Sequence, residues 1–142
     1  MKFCSIEHLR EVQARSNADE EYRRRAKGEN DSYTLVLKSE PEMGIPEDIV
    51  VGAKIVDGEI AEVWEGPKPT DFTLIAPYGV WVDILIGKLN AAKAVSLRKL
   101  KVKGSFIKLL KSSSSTERWI EILRGIPTEF EGEYNKFNIK ED

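Results

Sequence analysis

Ile49-Val50-Val51-Gly52-Ala53-Lys54-Ile55-Val56-Asp57-Gly58-Glu59-Ile60-Ala61-Glu62-Val63-Trp64-Glu65 carries the decisive fold signal in this chain of 142 residues. Two runs rich in apolar and β-branched residues flank Asp57-Gly58, and Asp-Gly in that setting favours a type I′ turn, which needs positive φ at both central residues. Residues 49–56 and 59–65 are therefore expected to pair as antiparallel strands. Upstream, Ser32-Tyr33-Thr34-Leu35-Val36-Leu37-Lys38-Ser39 has the β-branched and aromatic content of a strand, and a loop holding Pro41, Gly44 and Pro46 joins it to the hairpin. Downstream of Pro67 and Pro69, Asp71-Phe72-Thr73-Leu74-Ile75-Ala76 reads as a further strand. A meander of about four strands is the expectation.

Helical periodicity brackets this block. Between Ser5 and Lys27, Ile6, Leu9 and Val12 share one helical face, and Asn17 with Glu20 three residues on resembles a capping box opening a second helix. Tyr22 and Ala26 would face inward, and Arg23-Arg24-Arg25 with Lys27 suits the negative end of the helix dipole. From Pro77, the residues Val80, Trp81, Ile84 and Leu85 recur at helical spacing up to Gly87, and Asn90 caps a short helix with Ala94 and Leu97. Leu100-Lys101-Val102-Lys103 alternates as a short strand ending at Gly104. Ser105 opens a helix with Phe106, Ile107, Leu109 and Leu110. Ser112 to Ser115 read as a polar loop or hinge before Thr116 caps a last helix through Trp119, Ile120 and Leu123 to Gly125. Residues 1–142 read as a single domain, with its core at about 5–127 and a loosely held acidic tail over 128–142. Strands and helices cluster rather than alternate, so the fold class is α+β, a mainly antiparallel sheet with helices packed on one face.

Composition removes several function classes. The longest uncharged stretch, between Asp71 and Asp83, is broken by Pro77 and falls far short of the about 20 apolar residues of a membrane-spanning helix. The first residues have no apolar segment of the secretory kind, which makes a cytoplasmic location the expectation. Cys4 and His8 are the only cysteine and histidine, so neither an intrachain disulfide nor a Cys-rich zinc site can be built, and no metal or cofactor is expected. A Cys4–His8 pair would lie four apart on one helix without an oxyanion hole. No catalytic residue is assigned; Asp83, set among Trp81, Val82, Ile84 and Leu85, reads as the polar side of a helix.

Charge is divided unevenly. From Ile84 to Thr116 there are 8 basic residues (Lys88, Lys93, Arg98, Lys99, Lys101, Lys103, Lys108, Lys111) and no acidic ones. The other residues hold 14 basic against 24 acidic, a net −10 behind the overall −2. The same stretch has the most apolar helical faces. Cations beside apolar surface suit an amphiphile with an anionic head, or transient contact with an anionic membrane. Nucleic acid fits poorly, because Phe106 is the only aromatic interleaved with the basic residues.

Asp71-Phe72-Thr73-Leu74, then Trp81-Val82-Asp83-Ile84-Leu85-Ile86-Gly87-Lys88-Leu89-Asn90, then Ala94 and Leu100-Lys101-Val102-Lys103-Gly104, together resemble the core signature of the sterol carrier protein 2 domain. The resemblance is densest over Asp71 to Leu110. It implies about five strands with helices enclosing an apolar tunnel for a fatty acid, fatty acyl-CoA, sterol-like or isoprenoid lipid, bound without enzymatic turnover. The tunnel walls would then be Leu74, Ala76, Trp81, Leu85, Leu97, Leu100, Val102, Phe106 and Leu110, with Lys101 and Lys103 for an anionic head group. On the residues alone, the same apolar positions are an ordinary filled core. That leaves an accessory module for a lipid- or quinone-metabolising enzyme as the alternative, docking through the helix after Ser115.

Overall fold

A computed structural model describes residues 1–140; the last two residues of the expected tail, Glu141 and Asp142, lie outside the described residues. Two helices, α1 (Ile6–Ala18) and α2 (Glu20–Ala26), precede strands β1 (Ser32–Lys38), β2 (Ile49–Val56), β3 (Glu59–Glu65) and β4 (Phe72–Pro77). Helices α3 (Tyr78–Leu85) and α4 (Ala91–Ser96), strand β5 (Lys101–Lys103), and helices α5 (Phe106–Leu110) and α6 (Ser113–Arg124) follow. The strands form one mixed sheet in the order β3-β2-β1-β4-β5. The fold is α+β, with three antiparallel pairings and one parallel pairing, β1 with β4.

The hairpin forms as its sequence demands: Asp57 has φ 46° and Gly58 φ 81°. β4 does not extend the meander. Residues 66–71 cross the sheet face that carries Thr34, whose Oγ1 lies 2.8 Å from Thr70 Oγ1, and β4 then lines up beside β1. Asp71 fixes this parallel start. Its Oδ2 accepts the Ser32 amide at 2.8 Å and the Ser32 hydroxyl at 3.0 Å, while its own amide donates to Ser32 Oγ at 2.9 Å.

Alternation sorts the sheet into two faces. Leu35, Leu37, Val51, Phe72, Leu74, Ala76 and Val102 fall on one, through the registers Leu35↔Val51, Leu35↔Leu74, Leu37↔Ala76 and Leu74↔Val102. That face receives α1, α3 and α6. Leu37 and Val82 are fully buried beside Leu9, Val12, Leu85 and Leu123, each such side chain contributing roughly 1.5–3 kcal/mol of burial. Tyr22 and Ala26 of α2 pack on Ile60 in a second group.

Three local expectations are corrected. Asp19, not Asn17, caps α2, accepting the Tyr22 amide at 2.7 Å. Asn17 instead clamps the edge strand, its Nδ2 donating to Ile60 O at 3.0 Å and its Oδ1 accepting the Ile60 amide at 2.8 Å. Ser113 to Ser115 belong to α6 rather than to a hinge, so Thr116 lies inside the helix instead of capping it, and Ser112 and Ser115 are buried. The C-terminal segment is not loose either: Thr128 bridges to Ile139, Glu129 to Lys2, and Phe130 is buried in the main core against Phe3. Charge alone concealed the apolar positions that bring it back.

Candidate functional site

The residues expected to line a tunnel gather at the β4–β5 end of the helix-covered face, but not as one surface. Ala76, Ile84, Ala94 and Leu100 form a buried cluster with Leu74, Val80, Leu89, Ala91 and Ile120 packed around it. Trp81 adjoins both this cluster and the main core. Its indole N–H donates to Val36 O at 3.0 Å and Ala76 O at 3.2 Å, so its one polar atom is satisfied and the ring can divide the two apolar regions. Leu85 lies on the main-core side. Val102 is half-buried and faces Leu74 across the β4–β5 pairing.

Short elements cover the cluster. Tyr78–Leu85 ends where Arg124 reaches over from α6, Nε donating to Leu85 O at 2.9 Å and Nη2 to Ile84 O at 3.1 Å, which satisfies carbonyls the helix leaves orphaned. The Asp83 carbonyl takes the Lys88 and Leu89 amides, and its side chain is half-buried. Asn90 caps α4 through the Lys93 amide at 3.2 Å. The chain then turns through Arg98 at φ 60° into β5, with the Lys99 and Leu100 amides both donating to Ala94 O. Leu97, at this turn, is 51% exposed.

Helix α5 is laid on the surface. Ser105 caps it at the Lys108 amide, and none of its residues is buried. Phe106, Ile107 and Leu110 are 49%, 73% and 52% exposed. Lys108 instead turns toward the body, its Nζ 2.7 Å from Asp31 Oδ1, whose side chain is 8% exposed. Around this ion pair lies a cleft of about 300 Å³ lined by Gly28, Glu29, Asn30, Asp31, Lys108, Lys111 and Ser112. Burial raises the Glu29 carboxyl above the usual carboxylate range against the Ser115 hydroxyl that donates to it at 2.9 Å, and burial pushes the Tyr33 phenol up to about 12. A second, open cleft of about 490 Å³ is framed by Lys2, Gly44, Glu129, Phe130, Glu131 and Gly132.

Lys101 and Lys103 are exposed on β5 and register against Ile75 and Thr73. Alternation sends them to the sheet face opposite Leu74 and Val102. Sequence reasoning found the strand but not this separation of heads from walls. It also missed Asp31 and Glu29, whose partners on α5 and α6 lie far away in the chain, so no local pattern announces them. The helix expected to offer a docking face keeps its apolar residues inside: Trp119 and Ile122 pack against two core groups and Ile120 against the third.

The other chemistry raised by the sequence is structural. The Cys4 amide, not its thiol, meets His8, donating to Nδ1 at 3.2 Å. Burial pushes the thiol up to about 12, opposite to what a nucleophile needs. Among the described residues no helix is long and apolar enough to cross a membrane.

Comparison with known proteins adds to this geometry. The family model described as "SCP-2 sterol transfer family" matches residues 9–116. A crystal structure of sterol carrier protein 2 superposes with a TM-score of 0.76 at 21% identity, covering 84% of this chain and 95% of that one. The solution structure of a conserved hypothetical protein from Thermus thermophilus gives 0.76 at 22%, covering 87% and 89%. Palmitated sterol carrier protein 2-like 2 from Aedes aegypti gives 0.55 at 14%, covering 82% and 90%. No curated protein sequence matches.

Proposed function

The chain belongs to the SCP-2 sterol transfer family, whose members bind hydrophobic lipids, and from that premise we propose that it is a non-enzymatic carrier seating a lipid chain between β4–β5 and the α3–α4 cover. One observation carries this reading. The cluster of Ala76, Ile84, Ala94 and Leu100 adjoins the main core through Trp81, and beside α3 and the Ile120 side chain of α6 its cover is the six residues of α4 and the turns on either side of it. A roof that short has little apolar surface holding it down, so it is the least costly part of the fold to lift. Ala76 in the floor and Ala91 and Ala94 in the roof are small side chains, so a chain entering between them displaces little.

Cargo of this kind gains affinity at about 0.8 kcal/mol per buried CH₂. Leu74, Ala76, Trp81, Leu100 and Val102 form the inner wall in this proposal. Leu97, Phe106 and Leu110 lie at the mouth, and Leu85 supports Trp81 from the core side. Lys101 and Lys103 meet an anionic head group only if it emerges around the β5 edge. The palmitated state of the Aedes aegypti protein supports an acyl chain as one cargo class for the shared fold.

The closed packing of the cluster favours a second reading, an accessory module whose core is simply filled. Native mass spectrometry of the purified protein, followed by organic extraction, separates the two. A stoichiometric apolar adduct, or its appearance after incubation with fatty acids, acyl-CoAs or isoprenoid lipids, is the expected result. An unchanged apo mass after all three incubations rejects the carrier.

A further inference from the structure

Helix α5 is amphipathic with its apolar side outward. At 100° per residue, Phe106, Leu110 and Ile107 fall within one arc of about 100°, Leu109 flanks it, and Lys108 lies opposite. The arc that would normally seek the core is half to three-quarters exposed, while Lys108 is drawn to Asp31 and Leu109 is half-buried. Gly104, at φ 123°, sets this exit from β5, because a Cβ there would collide with Asp71 O and the Phe72 ring. The apolar arc is thus held outward by an ion pair and a tight turn.

The charge around it is one-sided. Lys103 and Lys111 bracket the helix in the chain, and among the described residues neither has a carboxylate within 4 Å. The acids near α5, Glu29, Asp31 and Asp71, lie on the Lys108 side, and Lys111 stands at the rim of the same cleft with its side chain exposed. The turn after α4 repeats the composition, exposed Leu97 being followed by exposed Arg98 and Lys99. Both elements fall within the stretch of 8 basic and no acidic residues, in a protein that is otherwise net acidic. Exposed aliphatic and aromatic side chains ringed by unpaired cations match the interface of a bilayer with anionic head groups, where apolar groups insert shallowly and cations stay at the phosphate level.

We propose that α5 is the surface by which this protein docks on an anionic lipid membrane, with Ile107 as the inserting side chain and Lys111 as a head-group contact. The inference deepens the carrier reading by naming where cargo is exchanged, and it rests on that reading only for its purpose. The test is co-sedimentation with vesicles of phosphatidylcholine alone and of phosphatidylcholine mixed with phosphatidylserine, at low and high salt. The native chain is expected to adsorb to the anionic vesicles, roughly tenfold more weakly to the neutral ones, and to be released by salt. Ile107→Asp and Lys111→Glu should each weaken adsorption by roughly tenfold. Both positions are exposed, so the thermal midpoint should stay as it is and the variants remain folded. No adsorption by the native chain, equal adsorption to both vesicle types, or native-like adsorption by Ile107→Asp would each overturn the proposal.

Titration of a fluorescent fatty acid without vesicles keeps the two readings apart. Ile107→Asp should bind it like the native chain, because Ile107 lies outside the proposed mouth of Leu97, Phe106 and Leu110, and a loss there would assign Ile107 to the cargo site instead of the membrane. If the native chain takes up no fatty acid yet adsorbs in the expected pattern, the carrier reading falls and the docking surface stands.

Discussion

His8 is the residue whose environment departs furthest from what its sequence context suggests. It is 1% exposed, accepts the Cys4 amide at Nδ1, and lies 3.3 Å from Thr128 Oγ1 at Nε2, while the Thr128 hydroxyl donates to Ile126 O at 2.7 Å. That chain of donors requires the neutral ring with its proton on Nε2. Burial first, and the chain's amino terminus second, lower its pKa from 6.5 to about 4. A histidine depressed in the folded state gives stability that is complete above pH 6.5 and lost as pH falls toward 4, because the unfolded chain takes the proton first. Between pH 7 and 4.5 this amounts to roughly 2 kcal/mol. The raised Glu29 carboxyl acts in the opposite direction, so the informative quantity is the difference between the native chain and His8→Gln in urea unfolding at the two pH values. The native chain should lose roughly 2 kcal/mol more than the variant; parallel losses would mean that His8 is not held neutral. Only part of this was legible locally: Cys4 and Phe3 are neighbours in sequence, but Thr128, which fixes the Nε2 tautomer, comes from the far end of the chain.

Secondary structure was legible wherever the signal is a turn or a cap made by neighbours in sequence. Asp57-Gly58, Asn90 and Ser105 do what their residue types dictate, because positive φ and an unpaired helical N–H are local problems with local solutions. What failed was choosing between two equally good local solutions. Asn17 and Asp19 both can cap α2; Asp19 does, since its carboxylate is also held by Arg118 at 2.6 Å and 3.0 Å, and Asn17 is needed by β3. The edge strand gives that role a measurable size. Asn17→Ala removes the side-chain acceptor of the Ile60 amide, while the Ile60 carbonyl keeps Gln13 Nε2 at 2.9 Å, and the lost acceptor should cost about 1–3 kcal/mol in equilibrium unfolding. Asn17→Asp keeps the acceptor for the Ile60 amide and should cost less. A neutral Asn17→Ala would mean that solvent reaches the Ile60 amide. The parallel β1–β4 pairing escaped for another reason: Ser32 and Asp71 recognise each other across the chain, and neither residue signals a partner in its own neighbourhood.

At the scale of the molecule, charge and apolar surface were visible in the sequence as a segment, but their arrangement in space was not. Strand alternation puts Leu74 and Val102 on the helix-covered face and Lys101 and Lys103 on the other, so the expected wall and the expected head-group site are separated by the thickness of β5. Because β5 is a three-residue edge strand, a ligand leaving the inner cluster can pass around it, and an anionic head there would meet both lysines in water. Solvent screening keeps such contacts modest, about 0.2–1 kcal/mol for each exposed pair. Charge reversal adds repulsion to the loss of attraction, so Lys101→Glu with Lys103→Glu should weaken binding of a fatty acyl-CoA by roughly tenfold and of an uncharged lipid of equal chain length by less than about twofold. The acyl-CoA loss should shrink as salt is raised, since the interaction is exposed. Equal losses for both ligands would remove the lysines from head-group recognition and mean that the substitutions act on the β4–β5 pairing itself. Unchanged binding of both would mean that the head leaves on the α4 side, where the exposed Lys93, Arg98 and Lys99 are cations able to meet it.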